Sequence, residues 1–94
     1  MRVKLVTNIL NDLMGLQSEV SLPENEKITL RSLLQHLISR HGERVRHRMF
    51  VRDEMAPYIT VTINGNPVTL AECLDHPLRD GDQVNLLSAI VAGG

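Results

Sequence analysis

The end of the sequence combines a terminal carboxylate with two residues that have no side chain. Gly93 and Gly94 close the chain directly after Val91 and Ala92. Because glycine has no Cβ and accepts φ of either sign, such a tail can enter a narrow channel in another protein. Ordering a flexible tail costs about 1–2 kcal/mol per residue, so an enzyme that binds it must also recognise the folded body. We therefore predict that the carboxylate of Gly94 is the reactive group, and that Gly93, Ala92 and Val91 thread into a partner's site.

The other residues with reactive side chains lack the neighbours that catalysis or metal binding would need. The single cysteine, Cys73, is interpreted as a packing residue rather than a thioester or persulfide site. The four histidines show no ligand spacing with cysteine or carboxylates, which predicts no metal site. Asp80 and Asp82 flank Gly81 and are predicted to be turn residues, because no nucleophile accompanies them as in an acid/base site. The sequence thus predicts a protein that is not itself a catalyst.

Two aliphatic residues close to the tail are candidates for a docking patch. If Val84 and Leu86 face the core of a final strand, the alternation of a strand turns Leu87 outward, and Ile90 follows shortly after. Exposed aliphatic side chains beside a reactive terminus favour a surface that a partner contacts. The alternative is that Leu87 and Ile90 are ordinary apolar residues of the surface.

Composition restricts the function classes and the location. Ninety-four residues suit a single domain, 1–94, of which 89–94 form the tail. Aromatic residues make up only 2%, the net charge is −1, and no long block of Lys or Arg occurs, so we expect no nucleic-acid partner. The apolar run after Arg2 and Lys4 is soon interrupted, which predicts no signal peptide, and the stretch 86–92 is shorter than the about 20 residues that span a bilayer. With one cysteine and hence no internal disulfide, the chain is expected to be cytoplasmic, with no membrane partner.

The first half of the sequence predicts a hairpin followed by a helix. Strands are predicted over 3–7 and 17–22, joined through turn residues that include Gly15. A helix is predicted over 29–41, because leucine or isoleucine recurs at i, i+3, i+4, i+7 and i+8 from Leu30. Thr29 is expected to cap the helix.

The second half predicts strands separated by turns. Residues 43–57 lack a clear pattern and are predicted to hold a short helical turn and a mobile loop. Strict alternation predicts a half-buried strand over 58–64, followed by a turn and a short return strand. One helical turn over 70–74 and a final strand from residue 83 complete the domain. One helix covers one face of such a sheet, so the sequence predicts an α+β roll.

Several segments resemble the MoaD/ThiS family of sulfur carriers. The most specific is LDHPLRDGDQV at 74–84, followed by Ala-Gly-Gly at 92–94. SLPE at 21–24, LRSLL at 30–34 and ITVTING at 59–65 are also similar to the family, in the same order along the chain. The resemblance implies a ubiquitin-like β-grasp fold, with a mixed sheet, one main helix packed across it and a flexible C-terminal Gly-Gly tail.

The same resemblance implies a reaction cycle that partners carry out. A ubiquitin-activating-type adenylating enzyme would join the carboxylate of Gly94 to AMP from ATP, and a sulfur donor would replace the AMP to form a thiocarboxylate. An acceptor biosynthetic enzyme would then take the sulfur. ATP and magnesium would belong to the activating partner, since this chain has no Gly-rich phosphate loop of its own.

Three alternatives to a freely diffusing sulfur carrier remain open at this stage. One is the small subunit of molybdopterin synthase, although LLSA at 86–89 stands where those subunits typically have an aromatic pair and prolines. Another is a ubiquitin-like modifier that is conjugated to proteins through Gly94. The third is a β-grasp interaction module whose terminal glycines have no chemical role.

Overall fold

The structure, a computed structural model, describes residues 1–23 and 27–88. Residues 24–26 of the loop before the predicted helix and the predicted tail, 89–94, lie outside the described residues. The elements in chain order are β1 (Arg2–Thr7), α1 (Asn11–Met14), β2 (Gln17–Ser21), α2 (Leu30–His41), α3 (Glu43–Met49), β3 (Phe50–Val51), β4 (Glu54–Met55), β5 (Ile59–Ile63), β6 (Asn66–Val68), α4 (Leu70–Cys73) and β7 (Gln83–Ser88).

The main sheet is mixed and has the strand order β2-β1-β7-β5-β6. β1 and β2 form the predicted antiparallel hairpin, and β5 pairs antiparallel with both β6 and β7. β1 and β7 pair in parallel, although about 80 residues separate them. The last strand therefore lies in the middle of the sheet, and the predicted α+β fold with a mixed sheet is confirmed.

Helix α2 begins and ends where its sequence predicts. The Thr29 hydroxyl accepts from the Ser32 N–H (3.4 Å) while the Ser32 hydroxyl accepts from the Thr29 N–H (3.2 Å), which forms a reciprocal cap. Gly42 ends the helix with φ 88°, a conformation that favours glycine. The predicted apolar stripe is buried at Leu30, Leu33, Leu34 and Leu37.

Two segments contain more structure than the sequence pattern predicts. The turn predicted before β2 is a single helical turn, α1. The prediction of one helical turn and a loop over 43–57 is wrong in extent, because this segment forms the seven-residue helix α3 and the hairpin β3–β4. Val45 and Met49 of α3 are fully buried, but two apolar positions among charged residues are a weak local signal. The hairpin turns through Arg52 and Asp53 at positive φ, which the sequence did not indicate because neither is glycine or asparagine.

The segment between α4 and β7 ties the helix to the sheet. The Leu30 N–H at the start of α2 donates to the His76 carbonyl (3.1 Å), and the Gly81 N–H donates to the Arg2 carbonyl (2.8 Å). These bonds satisfy backbone groups that would otherwise be left unpaired at a helix terminus and in a turn. The family-like segment 74–84 therefore has a structural task in this fold, which is to connect the helix with both central strands.

The core is aliphatic, as the composition predicts. Val3, Leu5, Val84 and Leu86 from the central strands are fully buried, and they belong to one cluster with the leucine stripe of α2. On β5 the side chains at Ile59, Val61 and Ile63 are buried, in agreement with the predicted alternation. Among residues 1–23 and 27–88, no helix is both long and apolar enough to cross a membrane.

Candidate functional site

The strand that precedes the tail is the middle strand of the sheet. β7 lies between β1, with Val84 opposite Leu5, and β5, with Ser88 opposite Ile59. A central strand is hydrogen-bonded along both edges, so its end is held more firmly than the end of an edge strand. The tail is therefore attached to the rigid middle of the domain. The predicted site residues Ile90, Val91, Ala92, Gly93 and Gly94 lie outside the described residues.

Leu87 points away from the core, as its position in the alternation predicts. Its neighbours Leu86 and Ser88 are buried, whereas Leu87 is 37% exposed. In the antiparallel register Leu87 lies opposite Thr60 of β5, which is also exposed. Side chains opposite each other in a sheet share a face. Leu87 is thus an exposed aliphatic residue on the outer face of the sheet, one residue from the end of β7, and its role in docking stays a prediction.

The end of β7 is also held by a side chain that sequence reasoning missed. Asn8 follows β1 directly, and its Nδ2 donates to the Ser88 carbonyl while its Oδ1 accepts from the Ser88 N–H, each at 2.9 Å. Eighty residues separate the two partners in sequence, so no local pattern indicates this contact. The asparagine just after a predicted strand was the only local signal, and it is equally typical of turns.

The start of β7 is held by a second asparagine and by the aspartates of the preceding turn. Asn64 Oδ1 accepts from the Gln83 N–H (2.9 Å), and Asn64 Nδ2 donates to Asp82 Oδ1 (2.9 Å). Asp82 Oδ2 accepts from the Arg79 N–H (2.8 Å). Asp80 Oδ1 accepts from the backbone N–H of residue 2 (2.6 Å). Both aspartates therefore serve as acceptors for backbone groups, which confirms that they are turn residues.

Cys73 is a core residue, as predicted. Its side chain is fully buried, and its Sγ donates to the Leu70 carbonyl at 3.4 Å. Burial raises the pKa of the Cys73 thiol, which lowers the population of the reactive thiolate. Such a thiol is poorly suited to nucleophilic chemistry.

The body of the protein supplies positioning rather than reactive groups. The described residues hold no group of three or more His, Cys, Asp or Glu side chains arranged to bind a metal ion. They do hold a rigid central strand, anchored at both ends by asparagine side chains, that leads directly towards residues 89–94. A mixed sheet with parallel first and last strands and one main helix across it defines the class as a ubiquitin-like β-grasp protein.

A family model and a curated relative identify the family. The model, described as the ThiS family, matches residues 5–94. The chain therefore belongs to the ThiS family, which confirms the resemblance found in the sequence. A proposed sulfur carrier protein of Archaeoglobus fulgidus is 32% identical to this chain over 69 residues, which cover 72% of this chain and 77% of the relative. Together they place this chain in a family of small sulfur carrier proteins.

Solved structures confirm the fold. The small archaeal modifier protein 1 of Haloferax volcanii superimposes with a TM-score of 0.72 at 21% identity, covering 95% of this chain and 98% of that protein. A chain of the BexX/CysO complex of Amycolatopsis orientalis gives a TM-score of 0.74 at 21% identity, covering 94% of this chain and 96% of that one. The ubiquitin-like β-grasp fold predicted for this chain is the fold of these proteins.

Proposed function

We propose that this sulfur carrier is activated by adenylation at Gly94 and delivers sulfur as a C-terminal thiocarboxylate. The observation that supports this most is the central position in the sheet of β7, the strand that immediately precedes residues 89–94 in the sequence. The match of the family model extends through the terminal glycines. A β7 that holds its end in a fixed place lets a partner bind the folded body and the tail at once. The partner then meets the carboxylate at a defined distance from the surface that it recognises.

The chemistry takes place in two steps in the partner's site. An oxygen of the Gly94 carboxylate attacks the α-phosphorus of ATP, a new phosphorus–oxygen bond forms, and pyrophosphate leaves. Hydrosulfide (HS⁻) supplied by the sulfur donor then attacks the acyl carbon, the bond between that carbon and the phosphate oxygen breaks, AMP leaves, and the chain ends in a thiocarboxylate. A free carboxylate is a poor acyl donor, whereas the acyl phosphate has a good leaving group, which is why the adenylation comes first. The acceptor biosynthetic enzyme takes the sulfur in a later step.

This chain contributes binding and position to that cycle. ATP and magnesium are held by the activating enzyme, which resembles the enzymes that activate ubiquitin. The exposed Leu87 lies on the outer face of the sheet close to where the tail begins, and we assign it to the surface that the activating enzyme contacts. Ile90, two residues after β7 in the sequence, is the second residue that we assign to this docking patch. The chain also has a buried free thiol, Cys73, which is compatible with a cytoplasmic site of action.

A ubiquitin-like modifier is the second candidate function. It is favoured by the fold similarity to the small archaeal modifier protein 1 over nearly the whole of both chains. Both functions begin with the same acyl adenylate and differ in the nucleophile that follows, which is sulfur in one and a lysine amine in the other. The assignment as a molybdopterin synthase small subunit has less support, since Leu86 and Leu87 stand where those subunits typically have an aromatic pair.

Intact-mass measurement of the protein purified from its native host tests the proposal. We expect a fraction of the chains to carry sulfur in place of one terminal oxygen, and this fraction to disappear in a variant that lacks Gly94. Lysine-linked conjugates of the chain would support the modifier function instead. A chain that stays a plain carboxylate in the host, and that does not promote ATP–pyrophosphate exchange by the host's adenylating enzymes, would overturn both.

A further inference from the structure

The pairing of β1 with its neighbour β7 ends before β7 itself has ended. Thr7 is buried, and its hydroxyl accepts from the Ile9 N–H at 3.1 Å, a local side-chain to backbone bond directly after the last paired residue of β1. The last residue of β1 that pairs with β7 is Thr7, which lies opposite Leu86. The paired register of β1 and β7 therefore ends two residues before Ser88.

The side chain of Asn8 continues the pairing of β1 with β7 beyond Thr7. Its amide donates to the Ser88 carbonyl and accepts from the Ser88 N–H, both at 2.9 Å. Only one orientation of the amide satisfies both bonds, because the carbonyl needs a donor and the N–H needs an acceptor. A carboxamide has the same donor and acceptor as a peptide group. Asn8 thus extends the parallel ladder between β1 and β7 beyond the last paired residue of β1.

Ser88 is held on its other side as well. It lies opposite Ile59 in the antiparallel register with β5, and it is only 8% exposed. β7 ends at Ser88, so the position of this residue sets the point from which the chain continues towards Gly94.

We propose that Asn8 is a positioning residue that fixes the exit of the tail, so that the activating enzyme captures Gly94 without first ordering the end of β7. This inference rests on the proposed function, because the captured group is the carboxylate of Gly94. Asn8 touches neither ATP nor the reacting carboxylate. It acts through Ser88, and its contribution is to prepare one backbone residue before binding instead of during binding.

The expected effect follows from the cost of ordering that residue. Without Asn8, the backbone of Ser88 loses two hydrogen bonds, so the end of β7 is held less firmly and the activating enzyme must restrain it when it binds. We expect KM for the carrier to rise about tenfold, equivalent to about 1.4 kcal/mol, which lies within the range for ordering the backbone of one residue. Once bound, the tail takes the same position in the variant and the original chain, so kcat is expected to change by less than about twofold.

The experiment compares Asn8→Ala and Asn8→Asp with the matched control Asn64→Gly in the full chain. Asn64 makes the same kind of contact at the opposite end of β7, to the Gln83 N–H, and glycine accepts its φ of 54°. The control therefore removes side-chain hydrogen bonds from the same strand without touching the exit of the tail. Asn8→Asp keeps an acceptor for the Ser88 N–H but sets an acceptor oxygen against the Ser88 carbonyl, so its effect is expected to be at least as large as that of Asn8→Ala.

Two measurements are made on each variant. Amide hydrogen exchange by NMR reports the Ser88 N–H directly, and we expect its exchange in Asn8→Ala to be about tenfold faster, with no such change in Asn64→Gly. ATP–pyrophosphate exchange with the host's adenylating enzyme gives KM and kcat for the carrier. A role in stability alone would change neither KM nor kcat while the variants are folded at the assay temperature.

The outcomes separate the two hypotheses. A higher KM with unchanged kcat for Asn8→Ala, and normal values for Asn64→Gly, would support Asn8 as a positioning residue. If the original chain is activated normally and Asn8→Ala has the same KM, or if Asn64→Gly raises KM equally, the inference is wrong and the proposed function stands. If the original chain itself is not activated, the proposed function fails, and this inference fails with it.

Discussion

The neighbouring residues Leu86 and Leu87 provide a direct test of how the body of the protein is divided between core and docking surface. They are the same residue type on the same strand, but Leu86 is fully buried whereas Leu87 is 37% exposed. Truncating a buried leucine to alanine costs about 2–5 kcal/mol, because the lost contacts leave a cavity. That is a large part of the about 5–15 kcal/mol by which a domain of this size is stable. Leu86→Ala should therefore lower the melting temperature by at least about 8 °C.

Leu87→Ala should cost much less. Complete burial of a leucine side chain stabilises by about 1.5–3 kcal/mol, and part of Leu87 is already in water, so we expect a loss of about 1 kcal/mol and no enclosed cavity. Leu87→Asp should cost somewhat more, about 1–2 kcal/mol, because aspartate is also unfavourable in a strand. Urea denaturation followed by circular dichroism measures all three values on the folded chain.

The same variants test docking. We expect Leu87→Asp to raise KM in ATP–pyrophosphate exchange at least about tenfold, because a charge replaces an apolar contact in a desolvated interface. Ser21→Asp is the charge control, since Ser21 is exposed at the end of β2 that pairs with Arg2, two strands away from β7 and far from the tail. A loss of stability for Leu87→Asp as large as that of Leu86→Ala would mean that Leu87 packs inward. A normal KM in a folded Leu87→Asp variant would exclude Leu87 from the docking surface.

Three further predictions concern other parts of the chain. Deleting Gly94 moves the terminal carboxylate by about 3.3–3.6 Å, and a misplacement of about 1 Å can cost 10²-fold, so the rate of adenylation should fall at least about 100-fold while the urea midpoint stays unchanged. Adding one alanine after Gly94 should be equally damaging. Normal activation of either variant would contradict Gly94 as the reactive group. Cys73→Ala should lower the free energy of unfolding by about 1 kcal/mol without affecting sulfur loading measured by intact mass, and a folded variant that cannot be loaded would assign Cys73 a chemical role. Arg48 donates to Asp12 (3.0 Å), and this ion pair lowers the pKa of Asp12. The ion pair should therefore stabilise the folded state fully above the pKa of an aspartate in the unfolded chain, about 3.9, and this stabilisation should disappear as the pH falls through the lower pKa that Asp12 has in the folded state. The difference in urea midpoint between the original chain and Asp12→Asn should accordingly vanish in acid, and a difference independent of pH would refute this.

Local patterns were sufficient for the elements whose own residues face both core and water. The leucine stripe from Leu30 and the alternation of Ile59, Val61 and Ile63 each contain the period of the structure they form, so the helix and strand followed directly. The outward orientation of Leu87 followed for the same reason. The patterns failed at α3 and the hairpin β3–β4, where few residues of each element are buried and the burial of Val45 and Met49 depends on packing against other parts of the chain.

What the sequence determined alone was the family, because it depends on residue types in a given order: LDHPLRDGDQV at 74–84 and the terminal Gly-Gly. The same order predicts Gly94 as the reactive end. What only the tertiary structure decided was how the end of β7 is held. The parallel pairing of β1 with β7 and the two bonds between Asn8 and Ser88 join residues about 80 positions apart. The residues next to Asn8 and Ser88 in the sequence do not predict this contact, since an asparagine after a strand is equally compatible with a turn. The contact exists because the sheet places the last strand beside the first, and the pairing of β1 with β7 ends at Thr7, so that the side-chain amide of the next residue, Asn8, meets the backbone of Ser88.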